Sequence, residues 1–191
     1  MRLGILLVIC SATAGLGQAD QPAKSVTGQN RQHTAVTGST VANQLIGTWR
    51  LVSVETTRAN GEVIYPFYGK HPQGLLIYDR SGWMSVQITS DPQPTVPVIS
   101  SREGFLAAPP AEKVAAIDGY YAYYGTWSVD ASGSSVTHHI RQSLYPGERG
   151  DEAIRMLSME GNRLTLLAKA HEMGEDHQRR LVWERVSSSE H

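Results

Sequence analysis

Residues 46–55 have the sequence IGTWRLVSVE, and their Gly-Thr-Trp tripeptide occurs again in YGTWSVDASG at residues 124–133. After each tryptophan, apolar and β-branched residues alternate with polar ones, which is typical of a strand with one buried face. A tripeptide can recur by chance in a chain of 191 residues. Alternatively, both copies mark equivalent places in a closed sheet. The pattern of the remaining sequence distinguishes between these two interpretations.

Strand patterns with a period of two residues dominate the chain as far as residue 186, and short turns rich in glycine, asparagine and aspartate separate them. The segment PPAEKVAAIDG at 109–119 differs. It begins with two prolines, spaces its apolar residues helically and ends at glycine, which predicts one short helix. Residues 90–108, rich in proline and serine, are interpreted as a loop. The predicted strands are 47–56, 73–79, 83–89, 120–130, 135–145, 152–159, 163–169 and 180–186.

Antiparallel strands with a single helix can form either a sandwich or a closed barrel. Short turns between consecutive strands favour an up-and-down order, and closure removes the exposed edges that an open sheet must protect. We therefore predict an all-β fold, a single antiparallel up-and-down β-barrel with one short helix, at residues 43–186.

The first 19 residues have the pattern of a cleavable signal peptide. Arg2 precedes the apolar run LGILLVIC, and the small residues of SATAGLGQA follow, with cleavage expected after Ala19. An alternative is a lipoprotein signal at Cys10, which the bulky Ile9 before it disfavours. The protein is therefore expected to be periplasmic or secreted, and without Cys10 it has no cysteine for a disulfide.

Residues 20–42 and 187–191 are polar, which predicts a flexible N-terminal segment and a disordered tail. The chain has 17 basic and 18 acidic residues and a net charge of −1, so nothing indicates a nucleic-acid partner. The sequence has no polybasic segment and no apolar run long enough to span a bilayer, so we do not expect stable membrane insertion. The oligomeric state cannot be predicted from these features.

Six blocks follow one another in an order that resembles the bacterial and fungal lipocalin-like domain family over about residues 44–186. Gly47-Thr48-Trp49 is similar to the first-strand signature of lipocalins, and Arg185 matches an arginine that lipocalins pack across that tryptophan. The resemblance implies a lipocalin-like (calycin-type) barrel with one closed end and an interior cavity. The resemblance does not determine an activity, although similarity to some fungal lipocalin-like proteins implies that a cyclase or a dehydratase is one option. The blocks are LIGTWRLVSVE, GLLIYDRSGWMSVQI, AAIDGYYAYYGTWSVD, VTHHIRQSLYPG, NRLTLLAKA and LVWERV.

The resemblance gives both Gly-Thr-Trp copies structural roles. Trp49 is expected to plug the barrel floor, with Arg185 in a cation–π contact worth about 0.5–2 kcal/mol. Trp127 is expected to repeat this device midway around the barrel. In both copies the glycine allows the backbones to approach closely.

Strand parity predicts which side chains face the interior. In VTHHIRQSLY at 136–145, His138 shares a face with the apolar residues Val136 and Ile140, whereas His139 shares the opposite face with polar residues. His138 is therefore expected to point inward, either as a hydrogen-bonded core residue or as a ligand contact or proton carrier. Adjacent histidines on opposite faces do not form a metal site, and we expect no metal and no cofactor.

Further interior candidates come from the neighbouring strands. Tyr121 and Tyr123 share a face and are expected either to fill the barrel or to contact a ligand. Met84 is a candidate for an adaptable cavity wall, and Tyr78 joins it if its strand has the matching parity. Arg155 alternates with apolar residues, and a buried arginine must be paired, either with a barrel carboxylate or with an acidic ligand.

Three functions remain open. The first is an exported binding protein that holds a small, largely apolar molecule with one or two polar groups. The second is a cofactor-independent isomerase, cyclase or dehydratase that acts on a small hydrophobic metabolite, with His138 and Tyr121 as acid and base. The third is a structural or protein-binding module. No nucleophile elbow, phosphate loop or dinucleotide fingerprint is present, so whether the protein is an enzyme is left open.

Overall fold

The fold is given by a computed structural model, which describes residues 38–93, 101–172 and 174–187. The predicted signal peptide, most of the predicted flexible segment and most of the predicted tail lie outside these ranges. Within them, no helix is long and apolar enough to cross a bilayer.

Eight antiparallel strands and a short ninth one, β2, form a single sheet with sequential neighbours. The last strand pairs with the first, so that the sheet closes into a barrel, and β2 adds only two residues to the end of β1. The up-and-down barrel prediction is confirmed, and the sandwich alternative is excluded. The strands are β1 Gly47–Arg58, β2 Val63–Ile64, β3 Gln73–Tyr78, β4 Trp83–Thr89, β5 Tyr120–Val129, β6 Ser135–Ser143, β7 Glu152–Glu160, β8 Arg163–Glu172 and β9 Glu175–Arg185.

Three helices accompany the barrel, where the sequence predicted one. The predicted helix is present as α3, Pro110–Asp118. The structure adds α2, Arg102–Ala107, inside the segment predicted to be a loop; the Ser101 hydroxyl caps it by accepting from the Gly104 N–H at 3.0 Å. It also adds α1, residues 38–45, so that the last part of the predicted flexible segment is helical.

One end of the barrel is closed by Trp49, which is 1% exposed. Its indole Nε1 donates to the Leu45 carbonyl at 2.8 Å, and the Arg185 guanidinium lies 4.1 Å from the ring centroid. Arg185 also donates to the Ile46 carbonyl at 2.8 Å. Gly47 has a φ of 138°, and a Cβ there would lie 2.6 Å from the Arg185 guanidinium, so a side chain would displace this contact.

The two ends of the barrel differ because short turns connect the strands at the closed end, whereas longer segments connect most of them at the other, where β8 and β9 are joined by a tight hairpin. The turns after β3, β5 and β7 lie at the closed end with Trp49. The connection between β1 and β3, the helices α2 and α3, and the 3₁₀ turn Pro146–Glu148 all lie at the opposite end. The barrel therefore has a packed floor and an opening.

Candidate functional site

The register of β6 places His138 inside the barrel and His139 outside. His138 is 1% exposed, and Val136 and Ile140 on the same face are also buried. On the outer face, His139 contacts the Ser128 hydroxyl at 2.9 Å and the Glu152 carboxylate at 3.1 Å. His138 is therefore the histidine of this pair that can act inside the barrel.

Both ring nitrogens of His138 are bound by tyrosines. The Tyr78 hydroxyl lies 2.6 Å from Nε2, and the Tyr123 hydroxyl lies 2.7 Å from Nδ1. Burial lowers the pKa of His138 well below 6.5, and the nearby Arg155 charge acts in the same direction. The imidazole is therefore neutral, and one tyrosine donates to it while the other accepts from it.

The two tyrosines of this Tyr78–His138–Tyr123 cluster are also neutral. Burial raises the pKa of Tyr78 well above 10, and it raises that of Tyr123 as well, although Arg155 acts in the opposite direction on both. The cluster is thus a chain of neutral hydrogen-bonding groups beside a positive charge.

A cavity of about 450 Å³ begins at Tyr123 and His138 and extends towards the open end of the barrel. This volume is in the range of small-molecule sites. The Trp183 indole borders the cavity, and its buried Nε1 lacks a hydrogen-bond partner within the described part of the chain. Among the other lining side chains, the apolar and aromatic ones are Phe67, Tyr68, Leu76, Val86, Ile88, Tyr120, Tyr121, Tyr145, Leu166, Ala168, Ala170 and Leu181.

The sequence profile of the lipocalin-like domain family matches residues 46–186, nearly all of the barrel. The chain belongs to this family. A search of curated protein sequences gave no significant match. Since the fold of a family does not determine its chemistry, the function has to be argued from the cavity of this lipocalin-like domain.

Tyr121 and Arg155 line the cavity of the lipocalin-like domain, as do Tyr123 and His138. The Tyr121 hydroxyl donates to the Glu148 carboxylate at 2.9 Å, and the Ser143 hydroxyl donates to the same oxygen at 2.5 Å. Burial raises the pKa of Tyr121, so it donates as a neutral phenol. Tyr121 therefore forms a polar group with Glu148, and it lines the same cavity as His138 without a hydrogen bond between the two side chains.

Met84 and Tyr78, two of the predicted ligand contacts, are not among the residues that line this cavity. They pair with each other in the β3–β4 ladder near the closed end, and both are buried in the packed core. Tyr78 acts on the cavity only through His138. Trp127 packs against Tyr78 at 4.8 Å between ring centroids and donates to the Asp79 carbonyl at 3.2 Å, which makes it a wall residue near the closed end.

The rim of the cavity includes an ion pair that the sequence analysis missed. Arg179 donates to both carboxylate oxygens of Glu172, at 3.1 and 2.6 Å. Its guanidinium also lies 5.9 Å from the ring centroid of Tyr68 and 6.0 Å from that of Phe67. The predicted last strand began at residue 180, because charged inward positions hide the apolar alternation that marks a strand. Parity counted back from Trp183 would have placed Arg179 inside.

A gap opens in the barrel wall where β7 and β8 separate. Their pairing ends at Met156 with Leu167, although β8 continues to pair with β9 as far as Glu172. A cleft at this place is lined by outward-facing residues such as Ile154 and by Arg155 from the inward face. Arg155 thus borders both the cleft and the cavity.

No group of three histidine, cysteine, aspartate or glutamate side chains suited to a metal ion occurs at residues 38–93, 101–172 or 174–187.

Proposed function

We propose that this lipocalin-like domain binds a small, largely apolar molecule in the barrel cavity. The observation on which the proposal rests is the 450 Å³ space, which is lined mainly by apolar and aromatic side chains. Its polar groups include Tyr123, His138 and Arg155, and charged side chains such as Glu148 and the Arg179–Glu172 pair also border it. Apolar walls provide most of the affinity in such sites, and a few placed polar groups orient the ligand.

A cavity-filling variant tests this proposal. Ala168 is buried and lines the cavity, so Ala168→Phe places a ring in the ligand's space. Ala122 lies at the opposite parity to Tyr121 and Tyr123, so Ala122→Phe adds the same ring outside the barrel. Titration with the uncharged fluorophore N-phenyl-1-naphthylamine should show binding to the wild type and to Ala122→Phe, and a loss of at least roughly tenfold in affinity for Ala168→Phe. Equal affinity in all three proteins would refute interior binding.

We also propose that the protein acts after export, in the periplasm or outside the cell. The charged, apolar and small-residue segments of residues 1–19 support this proposal. Expression of the full chain followed by N-terminal sequencing of the exported fraction should give a chain that begins at Asp20. Protein that still begins at Met1 and remains in the cytoplasm would contradict it.

Cofactor-independent proton transfer is a second candidate function. It is favoured by the Tyr78–His138–Tyr123 cluster, in which three titratable groups lie within hydrogen-bond distance and two of them border the cavity. Isomerases, cyclases and dehydratases of this kind remove a proton from carbon. A bound metabolite incubated in D₂O with the wild type should therefore acquire deuterium, as measured by mass spectrometry, whereas His138→Ala should not promote the exchange. Uptake at the uncatalysed rate with wild-type protein would exclude this candidate.

A further inference from the structure

Arg155 introduces a positive charge on the inner face of the barrel. It alternates along β7 with Ala153, Leu157 and Met159, which pack against the core. Its charge acts on all three members of the Tyr78–His138–Tyr123 cluster. Arg155 is half-buried in this position, so its charge is partly removed from water and a negative group beside it is favourable.

The barrel itself does not supply that group within the part of the chain that the structure describes. No ion pair there includes Arg155. Glu148 lines the same cavity, but its carboxylate accepts from Tyr121 and Ser143. Glu172 is bound by both terminal nitrogens of Arg179. No carboxylate of the described residues therefore forms an ion pair with Arg155, and a negatively charged group that enters the cavity can do so.

The hydrogen bonds of His138 provide a second donor at the same place. The Tyr78 hydroxyl has no other hydrogen-bond partner among the described residues. Its O–H group therefore has an acceptor only if it donates to Nε2 of His138. The neutral ring then has its proton on Nδ1 and donates to the Tyr123 oxygen. In this arrangement the Tyr123 O–H remains free to donate, and Tyr123 borders the cavity.

From these two donors we infer that the molecule bound in the cavity is an apolar carboxylic acid, whose ionised carboxylate is held by Arg155 and the Tyr123 hydroxyl. The inference rests on the proposed binding function and specifies the ligand class. The apolar part of the acid occupies the space beside Val86, Ile88 and Leu166. An arginine and a hydroxyl together match the two oxygens of a carboxylate, whereas an alcohol of the same skeleton leaves the arginine uncompensated.

The test compares 4-phenylbutanoate with 4-phenylbutan-1-ol as competitors of bound N-phenyl-1-naphthylamine at about pH 7.5, where the acid is ionised. The wild type should prefer the acid by about tenfold or more, as expected for charge-assisted hydrogen bonds. Arg155→Met should reduce this preference to about twofold or less, as the ratio of the two competition constants. Arg141→Met is the matched control, because it removes an exposed arginine from β6 and should keep the preference.

The outcomes separate the two claims. If acid and alcohol displace the fluorophore equally from the wild type, or if neither displaces it, the ligand class is wrong and the binding function stands. If Arg155→Met keeps the preference, Arg155 does not hold the carboxylate and the inference is wrong as stated. If the fluorophore does not bind to the wild type, both claims fail. Arg155→Lys provides a further check, since it should recover part of the preference by restoring the charge without the planar guanidinium.

Discussion

His138 is held as a neutral ring between two tyrosine hydroxyls, each within 2.7 Å of one of its nitrogens, because burial and the nearby Arg155 charge oppose the charged form. Protonation would turn both nitrogens into donors and place a second positive charge near Arg155. This cluster therefore links the polar end of the cavity to the stability of the barrel.

The first prediction is that the barrel loses stability in mild acid because of His138. Below about pH 6.5 an unfolded histidine takes up a proton that folded His138 does not, so the unfolded state binds more protons. The contribution is complete above that pH, and it falls as the pH decreases, by up to about 1.4 kcal/mol per pH unit. Urea unfolding at several pH values should show a flatter dependence for His138→Gln. His139→Gln, altered on the outer face, should keep the wild-type slope, and equal slopes for all three proteins would contradict the assignment.

Trp49 leads to a second prediction, on the closed end. Trp49→Ala should lower the free energy of unfolding by about 3–5 kcal/mol, because it empties a buried site and removes the surface on which Arg185 stacks. Trp83 is 50% exposed, so Trp83→Ala should cost only about 0.5 kcal/mol. Similar losses for both variants in denaturant titrations would mean that Trp49 does not close the floor.

The β7 and β8 strands show how an element can be paired along one part and open along another. Near the closed end their ladder is continuous from Glu160 with Arg163 to Met156 with Leu167. Beyond it, β8 has a partner only on the β9 side. Unpaired strand edges leave backbone N–H and C=O groups to solvent, so the barrel is weakest where its cavity meets the outside.

Amide hydrogen exchange tests this interpretation of the gap. Amides of β8 between Ala168 and Glu172 that face β7 should exchange at least roughly tenfold faster than those between Arg163 and Leu167, since they lack a strand partner. Binding of a ligand beside Arg155 should slow them. Uniform protection along β8 in the free protein would indicate that the wall is closed in solution.

Much of the barrel as a whole could be predicted from the sequence, because alternation determines which face of each strand is buried. That rule placed His138 inside and His139 outside, and it grouped Arg155 with apolar neighbours. It does not fix the height of a residue along the barrel axis, so it could not show that Met84 pairs with Tyr78 near the closed end and is not among the residues that line the cavity. The helix α2 was missed because a single serine cap, and not a long apolar pattern, defines its start.

The most direct test of the central claim is a methyl NMR titration of the full barrel with N-phenyl-1-naphthylamine. Val86, Ile88 and Leu166 line the cavity, whereas Val52 and Leu75 are exposed on the outside. The methyl signals of the three interior residues should shift with a common dissociation constant, and those of the two exterior residues should not move. Shifts confined to exterior methyls, or no shifts at saturating fluorophore, would contradict a ligand site inside the barrel.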